Sequence, residues 1–428
     1  MHTEDTVNGK LYYGWYIAFT LAITETISWG IIYYAFTVFL TPMETELGWS
    51  RGQLTGGFSL MLLVAGVMAF PVGAWIDKHG SRWLMTIGSI CASLLVITWS
   101  QVTDITAFYL IWAGLGICAA AILYEPAFAV IATWFVRRRG TALAIITFAA
   151  GLASTIFVPL SDALLNAFGW RDAVLILGVA LAVTTILPHA LILRRRPDDL
   201  GFLPDGDVKR SDSSPPMTRG VSLTDALHSR FFWLLTLAFS LSYLSASAIR
   251  VHFIPFLIDS GIDASSAALA SGTIGIMQVA GRLVFAPLDT RVSARVMTAG
   301  VFALQAAAMG ILLLGSSTLA VALFIIVFGT SYGASTLARP SILAEMFGST
   351  HYGRISSIVA IFVTFAATSA PVGAGLLYDR FGSYVPVLWI VLLLAVGATA
   401  VMLIAKPNLA QAQNPPPIQM VEETQSTS

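Results

Sequence analysis

Charge is what this sequence has least of. Of its 428 residues, 11% are Asp, Glu, Lys or Arg and 57% are hydrophobic, whereas a soluble domain carries about 25% charged residues. A mean hydropathy of +0.80 fits a chain whose solvent is largely lipid. The charges that exist cancel, with 23 Lys and Arg against 23 Asp and Glu. There is no basic excess to hold nucleic acid, and none is expected as a partner. Cysteine is nearly absent. Cys91 and Cys118 fall in separate apolar runs without metal-ligand spacing, so they read as small core residues. Enzyme signatures are missing as well. "GLGICA" (114–119) lacks the third glycine of a dinucleotide loop, and no Walker A sequence occurs, which excludes ATP-driven work. No His, Cys, Asp or Glu cluster has metal spacing. The expectation is a protein that is not an enzyme and uses neither cofactor nor metal.

Long apolar runs are what the chain does have. A helix needs about 20 mostly apolar residues to cross the hydrocarbon core. Twelve runs qualify, near 12–40, 53–76, 83–101, 106–134, 141–166, 171–193, 231–258, 265–288, 294–315, 319–346, 354–378 and 384–405. The first is too long for a signal peptide and reads as an uncleaved span. The fold class expected is an all-α polytopic membrane protein with twelve transmembrane helices. A polar stretch, 194–230, separates a six-helix half at 1–193 from a second at 231–406, and 407–428 reads as a disordered cytoplasmic tail. Lys and Arg concentrate on one side, in Lys78, Arg82, Arg137, Arg138, Arg139, Arg194, Arg195, Arg196 and Arg295, while Arg51, Arg171 and Arg380 fall on the other. The positive-inside rule then places both termini in the cytoplasm.

The halves repeat. Pro42 and Pro255, Gly48 and Gly261, Gly140 and Gly353, and Phe168-Gly169 and Phe381-Gly382 all stand 213 residues apart. A parallel repeat of this kind predicts a central cavity between the two halves. Nearly the same offset sets Glu125-Pro126, in "LYEPAF", against Arg339-Pro340, in "LARPSI". A charge near mid-bilayer costs about 3 kcal/mol on insertion scales, so both are expected to face each other or a wet cavity. Each proline frees a backbone carbonyl one turn back and invites a kink. Glu25, Arg250 and Arg282 are the other charges deep in apolar runs. If all five share one cavity their sum is +1, which suits a monoanion. Arg250 and His252 are two residues apart on a helix, so only one of them can face the cavity. Tyr33, Tyr34, Tyr124 and Gln278 are plausible polar lining.

In "GAWIDKHGSR" (73–82), Gly73, Asp77, Gly80 and Arg82 stand where the loop motif of the major facilitator superfamily has them, with Lys78 in place of an Arg. The chain resembles that superfamily, and the resemblance implies its 6+6 fold and a gating role for this loop. "YYGWYI" (12–17), "LGWSRGQLTGGFSL" (47–60), "EPAFAVIATWFVRRRG" (125–140) and "RRRPDDLGFLPDG" (194–206) further resemble the monocarboxylate transporter and oxalate/formate antiporter branch. In monocarboxylate transporters an Asp and an Arg four residues apart on span 8 serve proton coupling and carboxylate binding. Here Gln278 and Arg282 have that spacing, so the Arg is kept and the Asp is not. Tyr34 stands where those transporters carry a protonatable Lys in span 1. The resemblance therefore carries over carboxylate binding without the residues of proton symport.

These readings converge on a secondary transporter of small carboxylate-bearing solutes, monocarboxylate-like organic anions, working by alternating access, proton-coupled or by exchange. Expected solute contacts are Arg282, Arg339, Tyr34, Tyr124 and Gln278. Expected coupling or charge-balance residues are Glu125, Glu25, His252 and Arg250. The expected partners are a small solute, the bilayer of a plasma membrane and, in the proton-coupled case, protons, with the chain acting as a monomer. Two rivals stand beside this: a zwitterion or amino-acid carrier with Glu125 on the ammonium, and a transporter-like sensor that moves nothing.

Overall fold

The computed structural model describes residues 6, 7, 10–206, 221–289, 292–347 and 352–405. Among the described residues eleven helical stretches are long and apolar enough to cross a bilayer. One of them, Arg139–Leu191, has 53 residues, about 80 Å at 1.5 Å per residue, against a hydrocarbon core of about 30 Å. It turns at Gly169, whose φ of 79° and ψ of 165° are not helical, so it makes two passes and the chain makes twelve.

The passes are α1 (Tyr13–Leu47), α2 (Arg51–His79), α3 (Arg82–Trp99), α4 (Ile105–Trp134), α5 (139–168), α6 (170–191), α7 (Arg230–Asp259), α8 (Ala264–Asp289), α9 (Ala294–Leu313), α10 (Thr318–Phe347), α11 (Tyr352–Phe381) and α12 (Val385–Ile404). A minimal hairpin, β1 (Thr6–Val7) with β2 (Lys10–Leu11), precedes them. Local chemistry sets several boundaries. Gly48, in the left-handed region at φ 68°, ends α1. Ser50 and Gln53 form a capping box that starts α2. The Asp104 carboxylate accepts the Ala107 N–H at 2.8 Å and starts α4. α4 breaks at Leu123 (φ −91°, ψ −158°), and Pro126 then falls in the first turn of the new helix, where its missing N–H costs nothing. α10 carries Pro340 without a break, so only the first of the two prolines follows an interruption of its helix.

The repeat is structural. Gly48 and Gly261 both have positive φ, as do Gly169 and Gly382, so the paired glycines turn equivalent corners of the two halves. The first half packs around Phe36, Phe58, Trp99 and Trp112 and, nearer the chain start, around Ile17, Trp134 and Phe135. The second packs around Phe253, Phe324 and Phe328, and around Phe232, Phe239 and Phe302. Leu94, Val183, Leu304 and Leu393, on α3, α6, α9 and α12, are exposed apolar side chains, as a surface facing lipid requires.

Much of the stretch expected as a linker is attached. The Asp205 carboxylate accepts the backbone N–H groups of Val136, Arg137 and Arg138 at 2.9, 2.8 and 3.2 Å. The Tyr12 hydroxyl donates to the Leu203 carbonyl. Residues 194–206 thus belong to the first half. On the other side, the Val221 N–H donates to the Phe347 carbonyl at 2.9 Å, and a short helix, Leu223–His228, buries Ala226 against the second half. The rest of that stretch, 207–220, and the tail at 407–428 lie outside the described residues, as does the side chain of Asp77.

Small residues let α8 and α10 cross closely. A methyl group at Gly281 would overlap the Thr330 carbonyl, and one at Gly333 would overlap the Gln278 carbonyl. Backbone cannot rotate away as a side chain can, so overpacking here costs about 1–3 kcal/mol. Gly281→Ala and Gly333→Ala are each expected to lower the melting temperature in detergent, read by thermal unfolding, whereas Gly310→Ala, where a methyl meets nothing, should not.

Candidate functional site

Call the end where α1 begins and α12 ends basal, and the opposite end apical. At mid-depth, between the halves, lies a cavity of about 280 Å³. The second half supplies its cations. Tyr243, Ser247 and Arg250 line it from α7, and Tyr332, Thr336 and Arg339 from α10. Both sets follow the i, i+4, i+7 spacing of one helical face. Gln278 and Arg282, one turn apart, line it from α8. The first half supplies aromatics: Trp29, Tyr33 and Tyr34 from α1 and Tyr124 from α4. The helix opens into a π-helical turn at Trp29–Tyr34, and such turns recur at functional sites.

Arg250 sits in a tyrosine cage. Its guanidinium donates to the Tyr332 hydroxyl and, at 3.3 Å, to the Tyr34 hydroxyl. It also lies over the rings of Tyr33, Tyr34 and Tyr332 at 4.8, 5.6 and 4.6 Å from their centroids. Arg282 is 7% exposed. It reaches across to donate to the Thr147 carbonyl of α5, while its Nε has no acceptor. Arg339 lies 6.0 Å from the Tyr243 ring centroid. Among the described residues none of the three arginines has a carboxylate partner, and no acidic residue lines the cavity.

The five expected solute contacts, Arg282, Arg339, Tyr34, Tyr124 and Gln278, all line this one cavity, and Arg250 joins them. The other expected residues do not. Glu125 is exposed in the first turn after the α4 break and is absent from the lining. The expected pairing of Glu125 with Arg339 does not form. Glu25 is fully buried behind the lining, its Oε2 accepting the Trp29 Nε1–H at 3.1 Å. The lining charge is therefore that of three arginines, not the +1 that assumed five shared charges. His252 points away from the cavity, as its two-residue offset from Arg250 requires. Its Nε2–H donates to the Pro371 carbonyl at 2.9 Å, which leaves Nδ1 to accept the Tyr384 hydroxyl at 2.8 Å. It is fully buried, with both ring nitrogens hydrogen-bonded. Of the loop motif, Gly80 closes α2 at φ 79°, Arg82 donates to the Ala190 carbonyl at 2.8 Å, and Gly73 faces open space.

Above the cavity the halves are sealed. Arg51 of α2 forks onto Asp259 of α7 at 2.8 and 2.9 Å. Asp379 of α11 accepts the Ser50 hydroxyl and the Gly52 N–H at 2.7 and 3.0 Å. From the Arg282–Thr147 contact, hydrogen bonds between the halves continue upward to the apical end.

The sequence profile of the Major Facilitator Superfamily matches residues 18–371 and 235–420. The chain belongs to that superfamily. It is a multi-pass membrane transporter and not an enzyme. Among its relatives is an uncharacterized MFS-type transporter, YcxA of Bacillus subtilis (strain 168), 27% identical over 380 residues, covering 86% of this chain and 89% of that one. Monocarboxylate transporter 12 of Rattus norvegicus is 26% identical over 392 residues, covering 85% and 78%. Among solved structures, a bacterial homologue of the human lysosomal transporter Spinster, inward-facing and unoccupied, superposes with a TM-score of 0.71 at 15% identity, covering 93% of this chain and 96% of that one. The nucleoside transporter NupG superposes equally well, at 0.71 and 12% identity, covering 91% and 98%. At such identities the structures speak for the fold alone. In this transporter sequence reasoning missed Trp29, Tyr243, Tyr332 and Thr336. The polar i, i+4, i+7 rows leading to Arg250 and Arg339 were the signal available.

Proposed function

We propose that this transporter carries small carboxylate-bearing organic anions by alternating access. One observation carries the reading: three guanidinium groups line a mid-membrane cavity that contains no carboxylate. Such a cavity is electrostatically incomplete without an anion. Arg282 takes the solute carboxylate through a bidentate fork, and Arg339 is the second anion anchor. Tyr34, Tyr124 and Gln278 complete the polar contacts, while Arg250 raises the local potential from its tyrosine cage. Two of the relatives named for monocarboxylate transport, from rat and human, are similar along 85% of this chain, which agrees with the anion chemistry. A zwitterion carrier fits less well, because the lining offers no carboxylate to an ammonium group.

Binding and movement connect through Arg282. Its hydrogen bond to the Thr147 carbonyl joins the halves on the basal side of the apical seal. A carboxylate is the stronger acceptor, so a bound anion draws the guanidinium off α5 and frees the halves to rock. The basic clusters at the basal end make that end cytoplasmic, in a plasma membrane, with both termini inside and the loop of Gly73, Asp77, Gly80 and Arg82 as the inner gate. One chain builds the whole cavity, so the monomer is the working unit.

A thermal-shift screen of purified protein tests the reading, since a ligand of the native state raises the melting temperature by mass action. Small monocarboxylates such as pyruvate are expected to stabilise the protein and to show saturable counterflow in liposomes. Stabilisation by amino acids or cations alone would overturn the anion assignment, and saturable binding with no flux would make the chain a sensor.

A further inference from the structure

We infer that Glu25 is the proton site that couples anion movement to a proton gradient, and that Trp29 connects it to the solute cavity. The inference rests on the anion-transport reading above. Glu25 lies in α1 with 0% exposure. Its Oε2 accepts the Trp29 Nε1–H, and its Oε1 is buried without any hydrogen-bond partner. Among the described residues no Lys, Arg or His pairs with it from α4, α5 or α6. Tyr124, on α4, is the titratable group packed on the Trp29 indole, 5.1 Å between ring centroids. An ionised carboxylate with one bare oxygen and no counter-ion is far out of balance in a low-dielectric interior, and the neutral acid is not.

The path from Glu25 to the solute is short. Trp29 lines the cavity, and its ring lies 5.1 Å from that of Tyr124 and 5.4 Å from that of Tyr33. The π-helical turn begins at Trp29 itself. Gly30 within it seats α1 so tightly on Phe157 that a side chain there would overlap the ring. One indole thus joins Glu25 to the wall of the cavity that Arg282 also lines.

Linkage then gives the direction of coupling. A negative solute in the cavity disfavours a second negative charge on Glu25, so the bound anion favours the protonated acid. Reciprocally, the protonated acid favours the anion. The pair moves as one anion and one proton, with no net charge. On the side where the cavity opens to water, the Glu25 O–H bond breaks, its electron pair stays on the carboxylate, and the proton passes to water as the anion leaves. This assigns to Glu25 the role that the family resemblance leaves vacant at Tyr34 and Gln278.

Reconstituted full-length protein and radiolabelled pyruvate test the assignment. In wild type, an inward proton gradient drives accumulation, and counterflow against internal pyruvate also proceeds. In Glu25→Gln, gradient-driven accumulation is expected to fall to background while counterflow persists. Trp29→Phe, which keeps a ring and loses the Nε1–H, should displace the pH at which driven uptake is half-maximal. Gradient-driven accumulation retained by Glu25→Gln overturns the proton-site role. Wild-type protein that shows no pyruvate counterflow overturns the anion reading and this inference with it. If Glu25→Gln moves nothing, equilibrium binding decides. Wild-type affinity for pyruvate rises as pH falls, by up to about tenfold per pH unit for one linked proton. The variant binds with the same affinity at every pH, and a retained pH dependence would remove the proton from Glu25.

Discussion

Arg282→Gln is expected to abolish saturable anion uptake and to remove the thermal stabilisation that anions give. Arg282 is nearly buried, its Nε has no acceptor, and a single backbone carbonyl occupies its terminal nitrogen. Most of its hydrogen-bonding capacity is thus held for a ligand. Deleting one partner of a buried, hydrogen-bonded charge pair costs about 2–5 kcal/mol, which is about thirtyfold or more in affinity. Arg282→Lys keeps the charge and loses the fork, so it should fall between Gln and wild type. Arg339→Gln should weaken binding less, because Arg282 keeps the bidentate fork and the Arg339 guanidinium is shared with the Tyr243 ring, 6.0 Å from its centroid. The ligand-free protein controls for folding. Removing one of three like charges relieves repulsion in the empty cavity, so the ligand-free melting temperature of Arg282→Gln should not fall in step with its uptake. Isothermal binding and liposome uptake of pyruvate check both halves of the expectation. Wild-type uptake by Arg282→Gln would end its assignment as the carboxylate anchor.

Hydropathy and punctuation made the fold legible. Twelve apolar runs gave the passes, and the glycines at a constant offset proved to turn matching corners at Gly48 and Gly261, and at Gly169 and Gly382. The arginines of the site were legible for a similar reason. A guanidinium in an oily helix must find an acceptor, and Arg250, Arg282 and Arg339 all meet at one cavity. Where the carboxylates sit relative to the lining was not legible, because rotation about a helix axis decides their surroundings. Glu25 sits one turn before Trp29 and is hidden behind it, and Glu125 follows a break that turns it off the lining. The linker misled for another reason. Asp205 is a charge in a polar run, and only the folded chain shows its carboxylate collecting three N–H groups from the loop after α4.

The second large effect is expected at the apical seal. Arg51 opens α2, where a cation opposes the helix dipole, so its position has to be justified by partners outside the helix. It has them. Its guanidinium takes both Asp259 oxygens at 2.8 and 2.9 Å, Glu44 at 2.8 Å and the Tyr384 hydroxyl at 3.1 Å. Its plane also lies 4.0 Å from the Tyr378 ring centroid. Asp259, Tyr378 and Tyr384 come from the second half, so these contacts exist only while the apical end is closed. Asp379, also from the second half, supplies the negative charge that the α2 N-terminus lacks in its own first turn. Asp259 is only partly buried and Glu44 stays with Arg51, so losing the fork costs about 1.5–3 kcal/mol, the value of hydrogen bonds to a charged group, which moves a two-state equilibrium by about one to two powers of ten. Asp259→Asn should therefore shift the transporter strongly toward the state open at the apical end. A cysteine placed at Ser247 in the cavity, with Cys91 and Cys118 replaced, reports the shift. An impermeant thiol reagent supplied from the apical side should label it much faster in Asp259→Asn than in the parent. Counterflow should slow, since a cycle that cannot reclose its apical end turns over less often. The triple variant Glu44→Gln, Arg51→Gln and Asp259→Asn leaves no unpaired charge in this cluster and should recover part of the closed population. Equal labelling in the single variant and the parent would show that the two halves are held by their packed helices and that the ion pair does not set the equilibrium between states.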